Sequence, residues 1–390
     1  MSPDGECDES PESERIPDRN RMTRLRRNLS RWYAAHGREL PWRATHDPYR
    51  IWISEIMLQQ TTVAAVIPYF ERFLEQFPTV EVLAAADENE VLRMWEGLGY
   101  YSRARNIHRT ARQLVAERKG TFPHDAVELQ RLPGIGRYTA GAIASFAFDE
   151  RAPIVEANTL RLYSRLLGYD GDPRSSEGQK LLWRFAEAVL PKANPGRFNQ
   201  ALMELGSTVC TPAAPDCPSC PLRTVCRAFA ENRQEEIPRP KPRPKITPVV
   251  EASIAVRRGD TYLLRQRRAE ERWAGLWDFP RFELGEDQPG HLDRSDEALV
   301  PVLHQNLQGP LKELTGIAAE VTAVVTELRH SVTRYRIRLI CLEAEYRSGD
   351  PTNGDETQQW CRPEDFEELA FSVTGRKLAR LLVRRENSGS

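Results

Sequence analysis

Five prolines between residues 238 and 248 constrain this chain more than any other feature. Pro238, Pro240, Pro242, Pro244 and Pro248 alternate with Arg239, Lys241, Arg243 and Lys245. Each proline removes a backbone N–H and turns the preceding residue away from helical dihedrals. The segment can therefore continue neither a helix nor a strand ladder, and it favours extended polyproline II. Residues 231–248 read as a semi-rigid basic linker, and the 390-residue chain is long enough for a separate core on each side of it.

The apolar period changes across that linker. Upstream, Ile53, Ile56, Met57, Val63, Val66 and Ile67 recur at helical spacing. So do Leu83, Val91, Leu92 and Trp95, with Asp87 as the expected N-cap of a segment from Glu88. Leu160 to Leu167 and Leu181 to Val189 mark two further helices, so residues 21–230 are expected to be all-α. Downstream, Val249–Val256 and Thr261–Leu264 alternate with period two around an Arg258-Gly259-Asp260 turn. Val321–Leu328 and Arg334–Ala344 do the same, and a helix ending near Gly316 lies between the two pairs. A separate α+β domain over residues 249–385 follows.

Lys plus Arg is 55 and Asp plus Glu is 56, a net charge of −1, which excludes a uniformly basic coat. The balance is uneven along the chain. Residues 1–20 carry seven acids and two bases, with few apolar residues, and are expected to be a disordered tail. Residues 21–43 carry seven arginines against Glu39 alone, a pattern that suits either a solvated helix face or contacts to phosphates. No run of ~18 apolar residues exists to span a membrane. The first twenty residues lack the apolar segment of a secretory signal. Seven cysteines are too few for a disulfide scaffold, so Cys7, Cys341 and Cys361 read as free thiols of a reducing cytosol.

The other four cysteines, Cys210, Cys217, Cys220 and Cys226, are spaced C-x6-C-x2-C-x5-C among prolines. Four thiolates this close can wrap one compact metal centre, and both a zinc ion and a [4Fe-4S] cluster are chemically available. About seventy residues upstream, Leu132-Pro133-Gly134-Ile135-Gly136-Arg137-Tyr138 joins two apolar segments. Gly134 and Gly136 allow a tight hairpin whose amides, at a helix N-terminus, can hold a phosphate. A plain packing joint is the alternative.

Together these features resemble the helix-hairpin-helix, iron–sulfur DNA glycosylase superfamily, and most closely its MutY-type adenine DNA glycosylase branch. The resemblance rests on the cysteine spacing, on Leu40-Pro41-Trp42-Arg43, on the run from Trp52 to Thr61, on Gly97-Leu98-Gly99-Tyr100, and on Phe198 to Gly206. It spans about residues 38–226. It implies a [4Fe-4S] cluster on the four cysteines. It also implies removal of adenine opposite 8-oxoguanine or guanine in double-stranded DNA by a monomer in a bacterial-type cytoplasm.

The resemblance assigns roles residue by residue. Glu55 matches the general acid, and Tyr138 and Asn158 match residues that place the second carboxylate and a water. Arg43, Glu204 and Arg38 match the adenine pocket. Gln59, Gln60 and Tyr100 match residues that meet the opened duplex, beside the hairpin residues Gly134, Gly136 and Arg137. Tyr138 stands where bifunctional relatives carry a Schiff-base lysine, which implies a monofunctional enzyme. Two departures stand out. Glu156-Ala157-Asn158 replaces the family's Asp-Gly-Asn, so the second carboxylate sits on a side chain about 1 Å longer. Leu328-Arg329-His330-Ser331 replaces a Phe-Ser-His turn that reads the opposite base.

The C-terminal half resembles a Nudix domain through Gly275-Leu276-Trp277-Asp278-Phe279-Pro280. Its helix keeps only Glu313 where a Nudix hydrolase needs several glutamates for magnesium, which implies recognition rather than hydrolysis. Alternatives to the mismatch reading are a superfamily glycosylase for another base and a catalytically lapsed iron–sulfur DNA-binding protein.

Overall fold

A computed structural model of the chain describes residues 16–239, 245–284, 299–351 and 357–388. Most of the expected acidic tail and the centre of the expected linker lie outside these residues. The described chain forms two compact units, one from residues 1–84 and 109–242, the other from residues 85–108 and 243–390.

The first unit is helical throughout its described residues. Helix α1 (Arg19–His36) starts inside the expected tail, because the Asp18 side chain accepts from the amides of Asn20 and Arg21 at 2.8 and 2.9 Å. Helix α2 (Pro48–Met57) is capped by Asp47 and has proline at its first position. The spacing that suggested one long helix through Ile67 is divided between α2 and α3 (Val63–Gln76) by a turn in which Gln60 has φ 58°. Helix α4 spans Val80–Ala85. Helix α5 (Glu88–Met94), whose residues group with the second unit, is capped by Asp87 as the sequence predicts, and α6 (Ser102–Arg118) has residues in both units.

The hairpin runs from α7 (Ala126–Leu129) to α8 (Arg137–Phe148) through Gly134, whose φ of 74° a side chain would resist. Helix α8 buries small residues, Ala140 to Ala144, and packs closely on α2. Helices α9 (Ala157–Leu167), α10 (Ser176–Val189) and α11 (Pro195–Thr208) enclose a core with α1, built from Leu25, Leu29, Tyr163, Leu182, Phe185 and Leu202.

The expected linker is shorter than residues 231–248. After α12 (Arg227–Ala230) the chain stays attached to the helical unit. Arg233 pairs with Asp170 at 3.2 Å, and buried Ile237 accepts from Arg165 Nε at 2.8 Å. At the other end, Thr247 and Pro248 already belong to strand β1 (Thr247–Arg258).

The second unit is a mixed seven-stranded sheet between two helices. Its strands are β1, β2 (Thr261–Gln266), β3 (Trp277–Asp278), β4 (Arg281–Leu284), β5 (Ala318–Val332), β6 (Tyr335–Ser348) and β7 (Gln358–Cys361). The path is β3-β2-β1-β6-β5, with β4 on β1 and β7 on β2. Strands β1 and β6 pair in parallel, from Thr247↔Tyr335 to Arg257↔Glu345, and the other pairs of described strands are antiparallel. Helix α13 (Leu299–Thr315) covers one face with Leu303, Leu307 and Leu311, against Ile254 and Leu342. Helix α14 (Val373–Ser388) covers the other with Leu378 and Leu382, against Leu264 and Leu339. Residues 85–108, expected in the helical domain, group with this unit through polar contacts to its 366–376 segment.

Candidate active site and cysteine loop

A cavity of about 820 Å³ opens in the helical unit, lined by residues of α2, α8, α9 and α11 and by the 38–43 segment. Glu55 enters it from α2. Eight of the ten residues of that helix are buried, so Glu55 is enclosed by Ile51, Trp52, Ile56 and their neighbours and is 3% exposed. Burial lifts its carboxyl from the ordinary 4.5 to about 7, against a lowering by the Tyr138 hydroxyl. That hydroxyl donates to Glu55 Oε2 at 2.5 Å. Burial, with the Glu55 and Glu156 charges, pushes the Tyr138 phenol upward, so it remains a donor.

Glu156 is the N-cap of α9. Its Oε1 accepts from the Thr159 amide at 2.9 Å and its Oε2 from the Asn158 amide at 2.8 Å. The Thr159 hydroxyl accepts from the Glu156 amide at 2.8 Å, which closes a reciprocal capping box. The longer side chain thus folds back onto the helix end and does not extend freely. Burial raises its carboxyl above the ordinary value despite those amides. Asn158 adds a side-chain contact to Oε2 at 3.3 Å.

Arg38 and Arg43 line the cavity, but Glu204 does not. It is fully buried behind them, accepting from Arg38 Nε at 2.6 Å, Arg38 Nη2 at 3.0 Å and Arg43 Nη2 at 2.8 Å. These guanidiniums hold its carboxyl below the ordinary value, so both oxygens orient the wall and neither faces the cavity. Tyr33 and Gln200 carry no sequence-based expectation. The Tyr33 ring lies 5.7 Å from both Arg43 and Arg197, and its hydroxyl donates to cavity-lining Gln200 at 3.2 Å.

Gln59, Gln60, Gly136 and Arg137 line the same cavity. Gln59 Nε2 is 3.5 Å from Thr139 Oγ1, and the Arg137 guanidinium stacks 3.7 Å over Trp183. Gly134 and Gly136 are exposed, and no side chain caps the α8 N-terminus, so its first-turn amides remain available to an anion. Tyr100 is 48% exposed in the second unit.

The four residues expected to read the opposite base do not share one face. They lie on β5, whose alternation separates them. Leu328 packs on the α14-side core, and His330 stands with its ring 5.9 Å from Trp273. Arg329 points elsewhere and pairs with Glu327 at 2.9 Å, and Ser331 is exposed. Burial and the Arg281 charge hold the His330 imidazole below its usual range.

Cys210, Cys217, Cys220 and Cys226 are free thiols around one small cavity. Among the described residues no three His, Cys, Asp or Glu side chains are drawn around a single metal-ion position. The loop is fastened to α9 by two arginines outside the sequence motifs. Arg165 Nη1 donates to Cys210 Sγ at 3.3 Å and to the Thr211 carbonyl at 2.7 Å. Buried Arg161 donates to the carbonyls of Cys210 at 2.7 Å and Gly206 at 2.6 Å, and to Asn158 Oδ1 at 2.9 Å. Gly206 permits that approach, because a Cβ there would lie 2.8 Å from the Asn158 Cβ.

An uncapped helix-hairpin-helix N-terminus, a deep cavity with two carboxyls of unequal environment, and a four-thiol loop define a DNA base-excision class of protein. Residues 53–188 match the HhH-GPD superfamily base excision DNA repair protein family, and residues 252–381 match the NUDIX domain. A thermostable thymine-DNA glycosylase of known structure is 28% identical with a TM-score of 0.51, over 54% of this chain and 98% of that one. The adenine DNA glycosylase of Rattus norvegicus is 34% identical over 92% of this chain and 78% of its own length. That of Buchnera aphidicola subsp. Acyrthosiphon pisum is 37% identical over 66% of this chain and 73% of its own. The chain belongs to the adenine DNA glycosylase family.

Proposed function

We propose that this protein hydrolyses the N-glycosidic bond of adenine mispaired with 8-oxoguanine or guanine in duplex DNA, leaving an abasic site. The observation that carries this reading is Glu55, buried beneath the Tyr138 hydroxyl with its carboxyl raised to about 7, so that it holds a transferable proton near neutrality. The base must first leave the stack to reach the cavity. Glu55 protonates a ring nitrogen of the flipped adenine, and the C1′–N bond breaks with its electron pair leaving on the base. Glu156 faces the cationic sugar, held by the amides of α9. Water adds at C1′ and its proton returns to Glu55. Tyr138 offers no amine, so no Schiff base forms and the strand stays intact.

The four-thiol loop suits a [4Fe-4S] cluster. The donor set is all sulfur and lines one small cavity. When bound, the cluster cross-links the loop; the hydrolysis itself needs only the residues of the cavity. The same reading places the protein as a monomer in a reducing cytoplasm.

The thymine-DNA glycosylase likeness means that the fold alone does not choose the base. The test is a panel of duplexes holding A:8-oxoguanine, A:G, T:G and U:G, treated with alkali after incubation. Release confined to the two adenine mispairs, and lost in Glu55→Gln, is expected. Release from T:G or U:G would overturn the choice of base, and strand cutting without alkali would overturn the monofunctional mechanism.

A further inference from the structure

The turn between α5 and α6 is braced far beyond what a surface loop needs. Gly97, Gly99 and Tyr100 all have positive φ, at 99°, 73° and 49°. For a bulky aromatic residue that conformation is disfavoured and persists only where its surroundings enforce it. The enforcement is visible. Buried Arg103 donates to the Leu98 carbonyl at 3.2 Å and the Gly99 carbonyl at 3.1 Å, with its guanidinium 5.3 Å from the Trp95 ring and 5.7 Å from the Tyr100 ring. Trp95 Nε1 donates to the Gly99 carbonyl at 3.2 Å, and the Gly97 amide donates to the Tyr101 hydroxyl at 3.2 Å.

The same turn is tied to residues nearly three hundred positions away, within the same unit. Glu96, next to Gly97, accepts from Arg376 Nε at 2.9 Å and Nη2 at 3.0 Å. The Arg376 side chain is 6% exposed and also donates to the carbonyls of Phe366 at 2.7 Å and Leu369 at 2.6 Å. Asn89 accepts from the Ala370 amide at 3.1 Å and donates to the Glu368 carbonyl at 3.0 Å. Arg105 donates to the Ala274 carbonyl. A buried two-pronged arginine–carboxylate pair fixes direction as well as distance, unlike an exposed ion pair.

We propose that Glu96 and Arg376 are a positioning pair for Tyr100: the sheet-bearing unit sets the turn whose exposed ring enters the duplex. The inference rests on the reading that Tyr100 inserts into DNA as the base leaves. A ring that parts stacked bases is pushed back by them, so its backbone must be held from behind. Glu96 supplies that hold one residue before Gly97, the first positive-φ residue of the turn. The C-terminal unit thereby sharpens mispair recognition through a turn it grips, in addition to any contact of its own with the opposite base.

The test is a double-mutant cycle with the full chain. The probes are a duplex with uncleavable 2′-fluoro-2′-deoxyadenosine opposite 8-oxoguanine and a fully paired duplex of the same sequence. Arg376→Ala and Glu96→Gln are each expected to weaken binding of the mispaired duplex about tenfold, the scale of coupling within one network, and to leave the paired duplex unaffected. Arg376→Lys, which keeps the charge and loses the second prong, falls between. In a Tyr100→Ala background, neither substitution has a further effect beyond about twofold. A 2-aminopurine placed beside the mispair should brighten on binding the parent chain and less so with Arg376→Ala. An equal loss in both backgrounds, or no loss in either, overturns the pairing and leaves the role of Tyr100 standing. Unchanged mispair binding by Tyr100→Ala alone removes both. If Arg376→Ala does not fold, Glu96→Gln, which keeps the shape of the side chain, completes the cycle.

Discussion

At the scale of single residues, the proposed chemistry depends on a carboxyl kept protonated by burial. The folded-state value of Glu55 is raised to about 7, so the folded chain binds more protons than the unfolded chain between its ordinary 4.5 and 7. Stability is therefore greatest below that window, falls as pH rises through it, and is level above it. Glu55→Gln is expected to flatten this decline and to melt at higher temperature than the parent at pH 8, as thermal unfolding across pH would measure. The same substitution should slow adenine release by roughly 10²–10⁴ in single-turnover kinetics, and the parent rate should fall above about pH 7 as the proton is lost. Glu156 supports a different prediction, because it caps a helix as well as serving the proposed reaction. Glu156→Ala should cost about 0.5–2 kcal/mol in denaturant unfolding, whereas Glu156→Asp keeps a capping carboxylate and most of that stability. Glu55 was legible through the resemblance carried by the run from Trp52 to Thr61, and the apolar helix around it accounts for its burial. The retreat of Glu204 behind Arg38 and Arg43 was not legible, since no local pattern shows whether a carboxylate or the two arginines it pairs with will face a cavity.

At the scale of elements, α9 connects two functions. Its N-terminus is closed by Glu156, and one turn later Arg161 reaches Asn158, Gly206 and Cys210 together. Arg161→Ala strands buried carbonyls and should cost roughly 1–3 kcal/mol, measured by urea unfolding. If the loop holds the proposed [4Fe-4S] cluster, the same substitution should speed the loss of its visible absorbance in the presence of an iron chelator. Removal of that cluster from the parent should then expose the four cysteines to thiol reagents and lower the melting temperature, since the loop loses its internal tie. The cysteine spacing announced the loop plainly. Arg161 and Arg165 went unremarked because helix reading followed apolar positions, yet their spacing from Asn158, at i+3 and i+7, places all three on one helical face. The 328–331 stretch erred in the opposite direction. Its residues are adjacent in sequence, and a strand turns adjacent residues to opposite faces.

At the scale of the whole molecule, the two halves were legible from the change of apolar period, but the division between them was not. The linker prolines mark one boundary well. The transfer of residues 85–108 to the second unit depends on contacts such as Glu96 with Arg376 that no local signal encodes. A chain ending at residue 242 would lack every partner of Glu96 and Asn89 in the 366–376 segment. Amide exchange across residues 88–101 should then be markedly faster than in the full chain, while residues 137–167 keep their protection. That discontinuity also sets an order of events during synthesis. Residues 85–108 leave the ribosome long before residue 376, and at ~5–20 residues per second the interval is roughly a quarter of a minute to a minute. Throughout that interval the carboxylate of Glu96 awaits Arg376, which is not yet made. The helical half can close around its own core meanwhile. The turn bearing Tyr100 gains its brace last, so a nascent chain can form its catalytic cavity and hairpin before that turn is fixed.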